Sequence, residues 1–187
     1  MKKFATILIL LVLTTFTLFK ADAYVDPQVQ EARAQALVRI GMLKGYEDGS
    51  LRLENNITRS EFFTLIVRAL GWENEDTSDI NVSFSDIDSS HWAYNNVKVA
   101  VKLGLVKGYP DNTIAPDNQI TYAEVLTVLI RILGYEDTLE GEWPENVVSK
   151  SQSLDMVKDL ELLPRQQVTR GEVSVLIYNS LTVDFNR

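Results

Sequence analysis

The sequence predicts a mainly α fold in which three helix–loop–helix repeats form a pseudo-threefold helical bundle with short β segments in the loops. The first reason is an internal repeat, because eight identities recur 63 residues later without any insertion. The second is a Thr-x-x-Glu sequence that occurs three times, each time before apolar residues at helical spacing. The repeated pairs are Gly41 and Gly104, Gly45 and Gly108, Tyr46 and Tyr109, Asp48 and Asp111, Thr58 and Thr121, Glu61 and Glu124, Arg68 and Arg131, and Gly71 and Gly134.

A third, divergent copy completes the predicted array. Trp143 follows Trp92 by 51 residues whereas Thr169 follows Thr121 by 48, so this copy has lost three residues. One helix pair can bury only one side, and we therefore expect the three copies to share a central core; a linear solenoid would leave both of its ends exposed. The predicted repeats span residues 24–75, 84–138 and 143–185.

The first 23 residues are typical of a secretory signal peptide. Lys2 and Lys3 precede an apolar run over residues 4–19, and Ala21-Asp22-Ala23 matches a cleavage site. The run is short for a membrane span, so a retained anchor is the weaker interpretation. We expect an exported chain that begins at Tyr24 and has no integral membrane span.

Composition argues against several function classes. Removal of the signal peptide deletes three lysines and one aspartate and lowers the formal charge from −8 to −10, which makes nucleic acid a poor partner. The chain has no cysteine and one histidine, so thiol catalysis is excluded and zinc has almost no ligands. Hydrolysis by paired carboxylates needs two acids in one cleft, and the acids here belong mostly to caps, turns and linkers. We predict no enzyme and no cofactor.

The first helix of each copy is followed by a loop. Asp26 before Pro27 marks one helix start, and Ser89 and Ser90 offer a cap in copy two. A Gly-Tyr pair opens a turn-rich loop in copies one and two, with a very short strand expected around residues 51 and 114. The third loop lacks the pair and should be shorter. The predicted first helices cover residues 27–40, 91–103 and 144–154.

The second helix of each copy begins with a predicted capping box. In each, the threonine and the glutamate three residues later can satisfy two backbone donors of the helix start. Apolar residues flank each box as a hydrophobic staple and continue along one helix face. The boxes are Thr58-Arg59-Ser60-Glu61, Thr121-Tyr122-Ala123-Glu124 and Thr169-Arg170-Gly171-Glu172, and the staples are Ile57 with Phe62, Ile120 with Val125, and Val168 with Val173.

Several other residues receive structural interpretations. Trp92 and Trp143 are expected to pack in the core, although tryptophan also stacks on sugars. His91, beside Trp92 at a helix start, is expected to have a structural role. Arg68 and Arg131 either pair with acidic neighbours or face a groove, and we favour a structural role for both. Aspartates in the two Gly-Tyr loops favour turns, because these loops lack the alternating ligands of an EF-hand calcium site.

Copy two carries the clearest family motifs. It contains Phe84-Ser85-Asp86, His91-Trp92-Ala93, Gly104-Leu105-Val106, Gly108-Tyr109 and Ile120-Thr121-Tyr122-Ala123-Glu124. This pattern resembles the S-layer homology family. The resemblance implies a pseudo-threefold bundle that binds secondary cell-wall polysaccharide in grooves between the repeats, with a pyruvyl ketal carboxylate as a frequent ligand group. It also implies that Arg59 and Arg170, at the arginine of the Ile-Thr-Arg-Ala-Glu motif, bind ligand.

Elementary chemistry agrees with this role for Arg59 and Arg170. An arginine at the first helical position lies beside backbone amides that a carboxylate could also use. The alternative is an arginine that pairs with a nearby acid or is simply solvated. Tyr122 replaces the arginine in copy two, which predicts that one of the three grooves is altered.

The sequence therefore predicts a noncatalytic, secreted module on the cell wall or cell surface of a Gram-positive-type bacterium. Its expected partner is secondary cell-wall polysaccharide, with a protein cargo or envelope partner as a further possibility. The alternative hypothesis is a degenerate repeat that serves as a protein-interaction or envelope-structural module without affinity for sugar.

Overall fold

The computed structural model describes residues 25–186, which contain six α-helices, and the prediction of a mainly α fold is confirmed. The predicted signal peptide lies outside the described residues. No helix in the described range combines the length and apolar character needed to span a bilayer. The elements are α1 (Pro27–Arg39), α2 (Arg59–Ala69), α3 (Tyr94–Lys102), α4 (Tyr122–Ile132), a 3-10 turn (Glu136–Thr138), α5 (Glu145–Ser153) and α6 (Arg170–Ser180).

Each helix packs against a helix from another repeat. The second helix of copy one, α2, packs on α3, and the second helix of copy two, α4, packs on α5. The last helix, α6, packs on α1, so the pairing is cyclic. The apolar face of each second helix is thereby covered by the next copy. The fully buried residues include Leu37, Phe62, Leu126 and Leu176 from four different helices.

A cycle of three backbone hydrogen bonds joins the copies at their second-helix starts. Ile57 N–H donates to Val168 O at 3.1 Å, Val168 N–H donates to Ile120 O at 3.2 Å, and Ile120 N–H donates to Ile57 O at 3.1 Å. All three side chains are buried, which removes these bonds from competition with water. The apolar residue of each staple thus also links its copy to the other two.

The expected β segments differ from the structure. Residues 25–186 contain no strand, and extended pairing is limited to three isolated bridges, Asn56 with Thr169, Thr58 with Gln119, and Thr121 with Gln167. These bridges lie at the second-helix starts rather than in the loops. Each segment turns into a helix directly after its bridge, so a ladder cannot extend.

The capping boxes of α2, α4 and α6 are confirmed. The predicted serine cap of the first helix in copy two is wrong, because α3 begins only at Tyr94. Ser90 bonds to Asp88 within the preceding turn, while the N–H of Ala93 donates to Nδ1 of His91 at 3.2 Å. The histidine thus supports the helix start, as its structural interpretation predicted.

Candidate functional site

Two matching places between the repeats, named groove A and groove B, each hold an arginine at the start of a second helix. Groove A is the pocket of about 200 Å³ between the start of α2, the Gly-Tyr loop of copy two and the segment before α5. Groove B is the equivalent place where the start of α6 meets the Gly-Tyr loop of copy one. Groove A is lined by Arg59, Tyr109, Glu124, Thr127, Arg131 and Trp143, among others, and groove B contains Arg170, Tyr46 and Glu61.

The Gly-Tyr loop owes its shape to a close backbone approach. In copy two, Tyr109 N–H donates to Thr113 O at 2.8 Å. A Cβ atom on Gly108 would lie 2.9 Å from that same carbonyl and would collide with the ring of Phe84. Gly45 is at the equivalent position in copy one. Only glycine leaves room for this turn, which presents the tyrosine to the groove.

Arg59 is held in groove A by bonds to copy two. Its Nε donates to Ile114 O at 2.9 Å, and its Nη1 donates to Glu124 Oε1 at 2.9 Å. The residue is only 5% exposed. Tyr109 places its hydroxyl on the same Glu124 oxygen, at 2.6 Å, and its ring 4.8 Å from the guanidinium carbon. Arg59 is therefore ion-paired inside the protein, the alternative considered for it from the sequence.

Glu124 is stabilised as a carboxylate. Burial favours its neutral form, but hydrogen bonds from Tyr109 and from Thr121 N–H, together with the charge of Arg59, outweigh burial and lower the pKa of Glu124. Burial, and the bond to Glu124, raise the pKa of Tyr109 to about 12. Tyr109 consequently stays a neutral donor at neutral pH.

Arg170 is held differently in groove B. Its Nε donates to Leu51 O at 3.0 Å and its Nη2 to Lys44 O at 2.7 Å, so both bonds reach carbonyl oxygens. It is 8% exposed and lies 5.1 Å from the ring centre of Tyr46. Tyr46 donates to Glu61 at 2.9 Å. No salt bridge within residues 25–186 involves Arg170.

The first backbone N–H groups of α2 and α6 donate to loop carbonyls. The expectation that a ligand could also use these amides is therefore wrong. Arg59 N–H donates to Asn118 O at 2.9 Å, and Arg170 N–H donates to Asn55 O at 2.9 Å. The next residue of each helix makes a similar bond, also to a loop carbonyl. These amides attach neighbouring loops to the helix starts, so an anion would have to be bound by the guanidinium groups.

The start of α4, the second helix of copy two, has no arginine at this position. Tyr122 is 2% exposed, and its N–H donates to Gln166 O at 2.8 Å. Burial raises its pKa to about 12. The phenol therefore packs inside the bundle at the position where the other copies have an arginine.

The predicted packing of the tryptophans is wrong. Trp92 is 59% exposed and Trp143 is 43% exposed, because each lies before its helix rather than on its buried face. Trp143 Nε1 donates to Thr127 Oγ1 at 3.1 Å, which fixes its ring in the wall of groove A. Arg68 and Arg131 pair with acids, which is the structural role favoured for them: Arg68 with Glu73 and Arg131 with Glu136.

Sequence reasoning missed the shared role of Tyr109 and Glu124 in groove A. The sequence predicts a capping box for the glutamate and a turn for the tyrosine, and neither prediction brings the two residues together. A signal was available, since both residues recur at the offset of 63 as Tyr46 and Glu61. A turn needs the glycine but not a phenol, so the repeated tyrosine pointed to a further contact.

A cyclic array of helix pairs with grooves between its copies defines a binding module built from repeats. Residues 83–126 match the family model of the S-layer homology domain. The chain belongs to the S-layer homology family. This domain is noncatalytic, which confirms the prediction that the chain is not an enzyme.

Named relatives support the same family. The chain is 36% identical over 171 residues to the middle cell wall protein of Brevibacillus brevis, covering 91% of this chain and 16% of the relative. It is 36% identical over 170 residues to a surface layer protein of Brevibacillus choshinensis, covering 90% and 15%. A cellulosome-anchoring protein of Acetivibrio thermocellus is 33% identical over 156 residues, covering 74% and 35%. The chain thus spans a small part of the length of these relatives.

Proposed function

We propose that this chain is a secreted, noncatalytic module that attaches to the wall of a Gram-positive-type bacterium by binding secondary cell-wall polysaccharide, through a pyruvylated sugar. The observation that carries the proposal is an arginine beside a tyrosine between two repeats, an arrangement that is present twice and that lines an open pocket in groove A. The cell-wall and surface-layer names of the relatives support the same location.

The grooves suit an acidic sugar in two ways. Carbonyl oxygens fix both guanidinium groups, so neither arginine must lose much side-chain freedom when a carboxylate binds. Within the described residues these bonds use Nε and Nη1 of Arg59 and Nε and Nη2 of Arg170, and the remaining guanidinium nitrogen of each is the proposed donor. The faces of Tyr109 and Trp143 offer apolar contact to a sugar ring.

Cosedimentation with protein-free cell-wall sacculi of the producing bacterium tests this proposal. The purified protein should pellet with intact sacculi and stay in solution after the secondary polysaccharide is stripped. Mild acid, which removes pyruvyl ketals, should weaken pelleting. An Arg59→Ala/Arg170→Ala variant should lose at least about tenfold in affinity, the cost of one or two charge-assisted contacts.

The arginines also hold loops, so the variant needs controls. Circular dichroism must show that the double variant is folded at the assay temperature, and Arg39→Ala removes an exposed arginine from the end of α1 for comparison. Equal pelleting by wild type and a folded double variant would refute the arginine site. Absence of pelleting by the wild type would refute polysaccharide binding altogether.

The second candidate is a protein-interaction module without sugar affinity. An apolar pocket of about 340 Å³ favours it, and this pocket lies at the ends of the second helices, away from the grooves. Its walls come from all three copies and include Met42, Leu70, Leu133, Leu181 and Phe185. Leu70, Leu181 and Phe185 are partly exposed, as expected for a surface that could contact protein. Pelleting that is lost after removal of wall proteins, but not of polysaccharide, would favour this candidate.

A further inference from the structure

We propose that Arg165 determines the specificity of groove A by adding, at its edge, a cation that has no carboxylate partner among residues 25–186, so that this groove prefers a more highly charged acidic polysaccharide segment than groove B. The inference rests on the proposed function, because it concerns the same class of ligand. It starts from a position where the three copies differ in charge.

The backbone around Arg165 is fixed at the start of α4. Pro164 O accepts from Ala123 N–H at 2.9 Å, and Gln166 O accepts from Tyr122 N–H at 2.8 Å. These bonds flank Arg165 on both sides and use the first two amides of the helix. The arginine is therefore presented by a rigid segment, although its side chain is exposed.

The side chain of Arg165 lies over the tryptophan of groove A. Its guanidinium carbon is 5.2 Å from the ring centre of Trp143, a cation–π geometry. Trp143 is itself oriented by its bond to Thr127 and lines the same pocket as Arg59. The ring thus connects Arg165 at the edge of the groove to Arg59 at its base.

The charge of Arg165 is not paired with a carboxylate in the part of the chain that the structure describes. No salt bridge among residues 25–186 includes it, whereas Arg59 is paired with Glu124. The other two cations that line groove A, Lys107 and Arg131, both pair with Glu136. Contact with an aromatic face leaves the guanidinium edge able to donate to a carboxylate.

The equivalent positions carry the opposite charge. The residue after the loop proline is Asp117 in copy two and Arg165 in copy three, at the same offset of 48 that relates Thr121 to Thr169. Copy one has Glu54, 63 residues before Asp117. Asp117 lies 3.3 Å from His91, next to Trp92, so copy two also sets this residue beside the start of its first helix. The exchange changes the formal charge at this position from −1 to +1. The carbonyls on either side of Asp117 accept from the first two amides of α2, the helix that supplies Glu61 to groove B, so groove B has an acid where groove A has Arg165.

Charge reversal at this position provides the test. Binding of the purified protein to secondary polysaccharide released from sacculi is measured by calorimetry over a range of salt concentrations. We expect Arg165→Asp to weaken binding by about tenfold at low salt, the loss of one charge-assisted contact, and to flatten the salt dependence. Arg165→Lys should keep most of the affinity. Arg39→Asp makes the same charge change at an exposed site outside the lining of groove A and should stay within about twofold of wild type, because water between two exposed charges weakens their interaction.

The same polymer with its carboxyl groups reduced to alcohols identifies the group that Arg165 contacts. On this polymer wild type and Arg165→Asp should bind equally. If Arg165→Asp matches Arg39→Asp on the native polymer, the specificity role of Arg165 is wrong while the proposed function stands. If wild type fails to bind the native polymer, both proposals are wrong.

Discussion

At the level of single residues, the equivalent glutamates Glu61 and Glu124 have different hydrogen-bond partners. Glu124 accepts from Tyr109 and from Arg59, whereas Glu61 accepts from Tyr46 and forms no salt bridge with Arg170. Both also close capping boxes, through the N–H of the threonine three residues earlier. The pair therefore separates the capping contribution of a glutamate from its contribution as a counterion.

This asymmetry predicts different costs for the same substitution. Glutamine can still close a capping box, so Glu61→Gln should cost less than about 1 kcal/mol in the free energy of unfolding. Glu124→Gln should cost about 1–2 kcal/mol more, because it leaves the buried guanidinium of Arg59 without its counterion. Urea denaturation of both variants at pH 7 measures the difference. Equal losses would show that capping, not the ion pair, dominates the role of Glu124.

At the level of elements, the same cluster of charged residues follows α2 and α4. Lys44 and Arg68 share Glu73 after α2, and Lys107 and Arg131 share Glu136 after α4. The hydrogen bond from Arg68 is the main cause that lowers the pKa of Glu73 to about 2, with Lys44 adding to it against a smaller effect of burial. The clusters link the ends of α2 and α4 to the loop of their own copy.

The lowered pKa of Glu73 makes its contribution dependent on pH. A carboxyl group whose pKa is lower in the folded state stabilises the fold above its unfolded pKa, near 4.5, and loses that effect as the pH falls towards 2. We expect Glu73→Gln to be less stable than wild type by up to about 1 kcal/mol at pH 7, and this difference to vanish near pH 2. Thermal unfolding from pH 2 to 7, with the exposed Glu140→Gln as control, measures it. A difference that is independent of pH would contradict the assignment.

Local signals explain which elements could be predicted. The second helices begin at Arg59, Tyr122 and Arg170, directly after the capping threonines, because a capping box is complete within four residues. The predicted start of α3 is wrong because Ser90 hydrogen-bonds to Asp88 in the preceding turn and does not cap the helix. The predicted burial of Trp92 and Trp143 is wrong because their recurrence shows that the two positions are equivalent but not whether they face the core or the solvent.

Contacts distant in sequence explain what could not be predicted at the candidate site. Arg59 bonds to Ile114 and Glu124 in the next copy, and Arg170 reaches Lys44 on the first loop of the chain. Neither partner follows from a local pattern, since each depends on how the copies are arranged. The identity of the arginines was visible in the sequence, but their burial and occupied amides were not.

Cyclic pairing gives the whole molecule a property that a linear array lacks. In a linear array a defect in the terminal helix weakens mainly one end. Here α1 covers α6, and Leu37 in α1 is fully buried. Copies one and three are therefore joined directly, and each also contacts copy two through the central hydrogen bonds. A defect in α1 should destabilise all three copies together.

Leu37→Ala tests this cooperativity. The substitution should lower the free energy of unfolding by about 2–5 kcal/mol, because it removes buried methyl groups and leaves a cavity between α1 and α6. Trp72, Trp92 and Trp143 report on copies one, two and three when each is kept as the only tryptophan. Their fluorescence transitions in urea should coincide with one another and with the loss of helical circular dichroism, and all should shift together in Leu37→Ala but not in the exposed Gln35→Ala. If the copies form a closed ring, none of them can unfold and leave its neighbours intact. A urea midpoint for Trp92 that stays unchanged while the other two midpoints shift would therefore contradict this cooperativity and show that the copies unfold separately.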